Sequence, residues 1–331
     1  MSVHPILAAS RRDAILQSLA VIAAASIAVP GTALAASPVD QAPSKGRFRE
    51  RYVQRAGHRI YVRDYPGEGP AYVMVHGFPD NCRIYADIAS RLSAAGRRVV
   101  AFDFLGFGAS DKPDGFSYSF EQQLADLTAV VDDLGPIKVI PVGHDAGGPA
   151  AINYAVTNRS RVASLVLFNC YYANSPVLAF PDFIELCCNP KTRLLAVAMM
   201  TDPKQAAYLF QFQQEPIRAH LTPEMRERFD TVLQPIIAEN FSMSPSSMPA
   251  MLAMTGNAYE NLAANDLRLP VLGSFDKPLK LIWGSWDRYL NIAVAKDLAA
   301  HFPNASLTAL EAEHWPQFDQ PDQVVRTLLA S

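Results

Sequence analysis

Gly143-His144-Asp145-Ala146-Gly147-Gly148 lies between an apolar run, Ile137–Val142, and a helical stretch, Ala150–Thr157, whose first turn suits Pro149. A reactive side chain on a tight strand-to-helix turn needs small neighbours two places to either side, because the backbone is strained and the side chain must stand clear of the sheet. Gly143 and Gly147 supply them, and the central residue is Asp145. The N-terminus of the following helix favours a carboxylate and, later, a developing oxyanion. Alone, the hexapeptide also fits an ordinary glycine-rich turn, so its surroundings decide.

Upstream, Arg51–Gln54 and Arg59–Asp64 flank Gly57 as a hairpin, Ala71–His76 and Arg98–Asp103 read as buried strands, and Arg83–Ala95 and Phe120–Leu134 as helices. Downstream, Ala163–Phe168, Leu279–Trp283 and Ser306–Leu310 read as strands, with helices over Ile292–Phe302 and Asp322–Ala330. Apolar strands separated by helices predict an α/β fold whose mostly parallel sheet is covered on both faces. Residues 173–267 carry no clear strand and are rich in Met, Ala, Pro and Gln, with helical runs at Lys204–Gln214 and Glu224–Ile237. The expected organisation is a core of residues 48–172 and 268–331, with a helical lid of residues 173–267 on the side where strands end.

Further candidates fall at strand ends. His314 follows the last strand, and Asp287 follows Leu279–Trp283 in Gly284-Ser285-Trp286-Asp287, where a carboxylate can stand beside that histidine. The chain order is nucleophile, acid, histidine: Asp145, Asp287, His314. His76-Gly77-Phe78-Pro79-Asp80 follows another strand, and a flexible glycine before Phe78 suits an oxyanion hole built from Phe78 N–H and Ala146 N–H. Asp103 and the glycines up to Ser110 read as loop-shaping, with Ser110 non-catalytic.

Together the elbow, the His-Gly-Phe-Pro segment, the Asp103–Ser110 turn and the His314 loop resemble the α/β-hydrolase superfamily over residues 48–331. The resemblance is to its aspartate-nucleophile branch of epoxide hydrolases and haloalkane or haloacetate dehalogenases, closest to the epoxide hydrolases. It implies that Asp145 attacks a substrate carbon and forms an ester. His314, oriented by Asp287, would activate water to hydrolyse that ester, with Phe78 and Ala146 N–H holding the oxyanion. Dehalogenases of this branch hold halide with tryptophan N–H groups, often just after the nucleophile. Here that residue is Ala146, and Trp283, Trp286 and Trp315 all lie outside the lid. Epoxide hydrolases use two lid tyrosines as acids. Tyr259, in Gly256-Asn257-Ala258-Tyr259-Glu260-Asn261, falls on one family position; Tyr208 comes one residue before the other, which Leu209 occupies. Tyr171 and Tyr172, at the junction of core and lid, are spare candidates. The expected activity is epoxide opening to diols, with dehalogenase, ester or lactone hydrolase, and non-catalytic small-molecule binding protein as alternatives.

The 331 residues carry 29 Lys+Arg against 32 Asp+Glu, and only 18% are charged. This excludes a disordered polymer, a basic nucleic-acid binder and a polybasic membrane-surface protein. Residues 1–35 read as a cleaved export signal: Ser10-Arg11-Arg12 resembles a twin-arginine n-region, Ala14–Val29 is almost wholly apolar but short for a bilayer crossing, and Ala33-Leu34-Ala35 suits cleavage. Residues 36–47 read as a linker. Export to the periplasm or beyond is expected, without a stable membrane anchor; a membrane-tethered tail is the alternative. Cys82, Cys170, Cys187 and Cys188 are too sparse for a disulfide framework and read as buried thiols. No cofactor and no metal site is expected; the partners are a small hydrophobic substrate and water.

Overall fold

The computed structural model describes residues 47–330. The expected export signal, and the linker up to residue 46, lie outside the described residues. The first strands, β1 (Arg49–Arg55) and β2 (His58–Tyr65), form an antiparallel hairpin. Its turn is Ala56-Gly57, and both residues have positive φ, the two-residue geometry that matches the twist of the flanking strands. Six further strands follow: β3 (Glu68–Val75), β4 (Arg97–Phe102), β5 (Val139–Asp145), β6 (Leu165–Cys170), β7 (Leu279–Gly284) and β8 (Ala305–Leu310). They join one sheet in the order β1-β2-β4-β3-β5-β6-β7-β8. From β4 to β8 every pairing is parallel, and the hairpin is the antiparallel edge.

The period of two along each strand divides the core. In β6, Leu165 and Leu167 pack on one face, and Val166 and Phe168 on the other. The first face is covered by α2 (Phe120–Asp133) and α3 (Gly148–Thr157), the second by α1 (Ala86–Ala94). Buried on both sides, these strands have no polar face, which is why they read as continuous apolar runs.

Between β6 and β7 the chain is helical: α4 (Asp182–Cys188), α5 (Arg193–Thr201), α6 (Pro203–His220), α7 (Pro223–Arg228), α8 (Gln234–Ser242), α9 (Met248–Gly256) and α10 (Ala258–Asp266). The helix expected to end at Gln214 continues to His220, carrying Pro216 inside it; Asp202 caps its start by accepting Lys204 and Gln205 N–H. The run expected over Glu224–Ile237 is interrupted by a π turn at Phe229–Leu233, immediately ahead of Pro235, which has no N–H to give an α ladder. After β7, α11 (Ile292–Ala299) joins the first face and α12 (Pro321–Leu329) the second. All four cysteines are buried and free. Among the described residues no helix is long and apolar enough to cross a membrane.

Candidate active site

Asp145 ends β5 with φ 47°, a left-handed conformation uncommon for a residue other than glycine. The turn is closely packed. A β-carbon on Gly147 would stand 2.4 Å from the His76 carbonyl oxygen, and one on Gly77 would stand 2.4 Å from Asp145 Cβ. Both positions need glycine for the two loops to touch.

The two oxygens of Asp145 face different partners. Oδ1 accepts Phe78 N–H at 2.8 Å, while Oδ2 lies 3.6 Å from His314 Nε2. Burial pushes the Asp145 pKa up, against the opposing pull of His314 and of the Phe78 and Ala146 N–H groups. His314 Nδ1 meets Asp287 Oδ2 at 2.7 Å. Asp287 is in turn fixed by Tyr289 and Leu290 N–H on Oδ1, at 2.9 and 3.0 Å, and by the Asn169 amide on Oδ2 at 3.0 Å. The Asp287 side chain is 2% exposed, against 15% for Asp145 and 12% for His314, so it can orient the imidazole but cannot meet a ligand. Burial opposes a proton on His314, yet Asp287, Asp145 and Asp80 outweigh it and raise its pKa to about 9.

Asn169 escaped the sequence reading. It occupies the end of β6, where its amide also accepts Gly284 N–H at 2.7 Å, tying the sheet to the Asp287 loop. The available signal was one polar residue in an otherwise apolar strand, Leu165–Cys170. Ser110 is buried and bonded to the Asp103 carbonyl, as a loop-shaping residue would be.

A cavity opens above Asp145 and His314. Phe78, Phe120, Phe180, Phe183, Phe210 and Trp315 give its wall an aromatic character, and Tyr171, Tyr289, Gln213, Gln214 and Thr255 bring polar atoms to it. Among the described residues no lysine or arginine lines it. Trp315 spends its N–H on Asp80 Oδ2 at 2.7 Å, and Trp283 spends its own on the Leu290 carbonyl at 2.6 Å; neither Trp283 nor Trp286 reaches the cavity.

The expectation for the lid tyrosines is corrected. Helix α6 turns Phe210, Gln213, Gln214 and Ile217 to the cavity, one face at i, i+3, i+4 and i+7. Tyr208 sits about 200° around the helix from Phe210 and is 53% exposed. Tyr259 follows the cavity-lining Ala258 but points outward, its hydroxyl donating to Glu185. Tyr172 donates to Asn153 Oδ1 at 2.8 Å. Tyr171 and Tyr289 both line the cavity with Asp145; the Asp145 charge acts on Tyr171, whose hydroxyl has no protein hydrogen-bond partner among the described residues. Also among those residues, no group of three or more His, Cys, Asp or Glu could hold a metal ion.

Next to His314, Glu313 is buried, and desolvation with Asp287 and Asp319 nearby pushes its carboxyl up to about 8. The fold therefore favours its protonated form. That stability is full below the ordinary glutamate range and is lost as pH rises through 8. Glu313→Gln is expected to shrink the fall in Tm between pH 6 and pH 9 by roughly 3 °C or more, measured by calorimetry; an unchanged fall would remove this residue as the cause.

A family model described as alpha/beta hydrolase fold matches residues 70–321. Haloalkane dehalogenase 2 of Mycobacterium tuberculosis is 28% identical over 287 residues, covering 85% of this chain and 94% of that protein. Epoxide hydrolase 3 of Xenopus tropicalis is 27% identical over 293 residues, covering 80% and 71%. Among solved structures, a thermophilic esterase from Thermogutta terrifontis superposes with a TM-score of 0.66 at 20% identity, covering 85% of this chain and 96% of that one.

Proposed function

The chain belongs to the α/β-hydrolase fold family as a hydrolase, and on that premise we propose that it opens epoxides to diols in two steps through an ester on Asp145. The observation that carries this reading is the unequal setting of the two Asp145 oxygens. One is held by a backbone N–H, and the other faces His314 beside an apolar cavity.

In the first step Oδ2 attacks a ring carbon, the carbon–oxygen bond breaks, and the ring oxygen takes the Tyr171 hydroxyl proton. Forming the ester removes the negative charge of Asp145, one of those that hold a proton on His314. The imidazole becomes a free base only after alkylation, when its proton passes through solvent to the Tyr171 phenolate. Water then attacks the ester carbonyl and gives its proton to His314, while the oxyanion on Oδ1 is held by Phe78 and Ala146 N–H. Collapse breaks the ester carbon–oxygen bond; the leaving oxygen takes the proton of the newly formed carboxyl group, so the diol departs, Asp145 is a carboxylate again and His314 is again protonated.

Two features favour an epoxide over its rivals. Halide would need donors that the tryptophans do not offer, and an anionic haloacetate would enter a mostly apolar cavity in which, among the described residues, no lysine or arginine stands to pair with its carboxylate. The test is a single turnover in H₂¹⁸O with an epoxide, a haloalkane, a haloacetate and an ester. The first diol should be unlabelled and Asp145 should gain ¹⁸O; label in the first diol would overturn the ester, and turnover of the haloalkane alone would make the protein a dehalogenase. Residues 1–35 enter this reading as an export signal, and an exported protein beginning with Met1 instead of near Ala36 would remove it.

A further inference from the structure

Asp80, two residues after Phe78, is wholly buried beneath the site, and the two steps above do not use it as a reactant. Its Oδ2 accepts the Trp315 N–H at 2.7 Å. His76 Nδ1 lies 3.6 Å from Oδ1, and His144 Nδ1 lies 3.7 Å from Oδ2. His144 in turn donates from Nε2 to the His314 carbonyl at 2.9 Å, because a carbonyl oxygen can only accept. Three loops thus converge on one carboxylate: the Phe78 loop, the elbow through His144, and the His314 loop. His314 is held on both sides, by its own carbonyl through His144 and by its neighbour's indole through Asp80.

As mere filling this arrangement is poor. Asp80 Oδ1 and His144 Nδ1 are buried without a hydrogen-bond partner, and a buried carboxylate left partly unpaired costs stability that an apolar side chain would not. We propose that Asp80 is a positioning residue for ester hydrolysis, fixing the His314 loop through the Trp315 N–H and placing a further negative charge behind the imidazole. The inference rests on the two-step reading above.

The charge has a direction. Burial disfavours the ionised form of Asp80, but His76, His144 and Trp315 hold its carboxyl below the ordinary range. As an anion it supports a proton on His314. The other titratable groups facing His314 are Asp145 and Asp287 in contact, His144 at 4.7 Å between ring centres, and the flanking Glu313 and Asp319. Those facing Asp80 are His76, His144, Tyr85, Asp145 and His314 itself.

Rapid-quench intact mass with an epoxide separates ester formation from ester hydrolysis. In Asp80→Leu, hydrolysis should slow by about 10- to 100-fold, the cost of a misplaced catalytic group, and the ester should accumulate while its formation stays near the wild-type rate. Trp315→Phe, which keeps the ring but loses the N–H, should also accumulate ester, so the proposal does not depend on the folding of one variant. Asp80→Asn keeps an acceptor for Trp315 and should restore most of the rate while moving the acid limb of hydrolysis to lower pH. If Asp80→Leu and Trp315→Phe hydrolyse the ester at the wild-type rate, or if Asp80→Asn leaves the acid limb in place, the proposal fails. If His314→Gln traps no ester from an epoxide, the two-step reading itself fails, which is a separate result from the same instrument.

Discussion

His314→Gln is expected to stop the protein half-way, with one substrate equivalent bonded to Asp145. His314 Nε2 stands 3.6 Å from Asp145 Oδ2, so a water bridging the imidazole and the esterified carboxyl is already within reach of both groups. Removing the base should slow ester hydrolysis by about 10²- to 10⁴-fold, the usual range for a positioned general base. Ester formation does not need that base, because the nucleophile is a carboxylate. Incubation with an excess of epoxide should therefore raise the intact mass by one substrate, and the added mass should map to the peptide containing Asp145. Asp145→Asn should acquire no mass under the same conditions. Consumption of epoxide by His314→Gln without an adduct, or an adduct on another residue, would sink the assignment of both residues.

Tyr171→Phe is the second variant with a large expected effect. The ring packs against Phe120 and Phe180, with centroids at 6.1 and 5.6 Å, and phenylalanine preserves both contacts, so the change deletes only the hydroxyl. Burial and the nearby Asp145 charge hold the hydroxyl pKa well above its ordinary value, which keeps the proton available for a developing alkoxide. Losing this acid should slow ester formation from an epoxide by about 10²-fold or more. An alkyl halide, whose leaving group needs no proton, should lose far less. Tyr208→Phe and Tyr259→Phe should remain within about 2-fold, as expected of surface substitutions. A wild-type rate of epoxide opening in Tyr171→Phe would remove it from the chemistry.

The difference between Tyr171 and the two lid tyrosines shows where legibility ends. The elbow at Asp145 could be read because its demands are local: glycines where a β-carbon would collide, and an apolar strand before a helix. The sheet could be read for the same reason, since period two and uninterrupted apolar character are properties of neighbours along the chain. Tyr208 and Tyr259 lie on helices, where one residue is about 100° of rotation, and which face meets the cavity depends on packing. For α6 that face is set by Phe210, Gln213, Gln214 and Ile217, a choice made where Phe210 meets Phe183 of α4 and Phe241 of α8 rather than within the helix.

Asn169 and Asp80 make the same point from the core. Asn169 meets Asp287 across 118 residues and Trp315 meets Asp80 across 235, and neither pair leaves a spacing pattern. Backbone geometry and burial act over a few residues and are written into the order of side chains: the parallel sheet, the helical insertion, and Asp145, Asp287 and His314 at strand ends. Which tyrosines reach the cavity, which indole N–H is already spent, and which buried carboxylate accepts it are matters of long-range contact, decided only when the folded chain brings distant segments together.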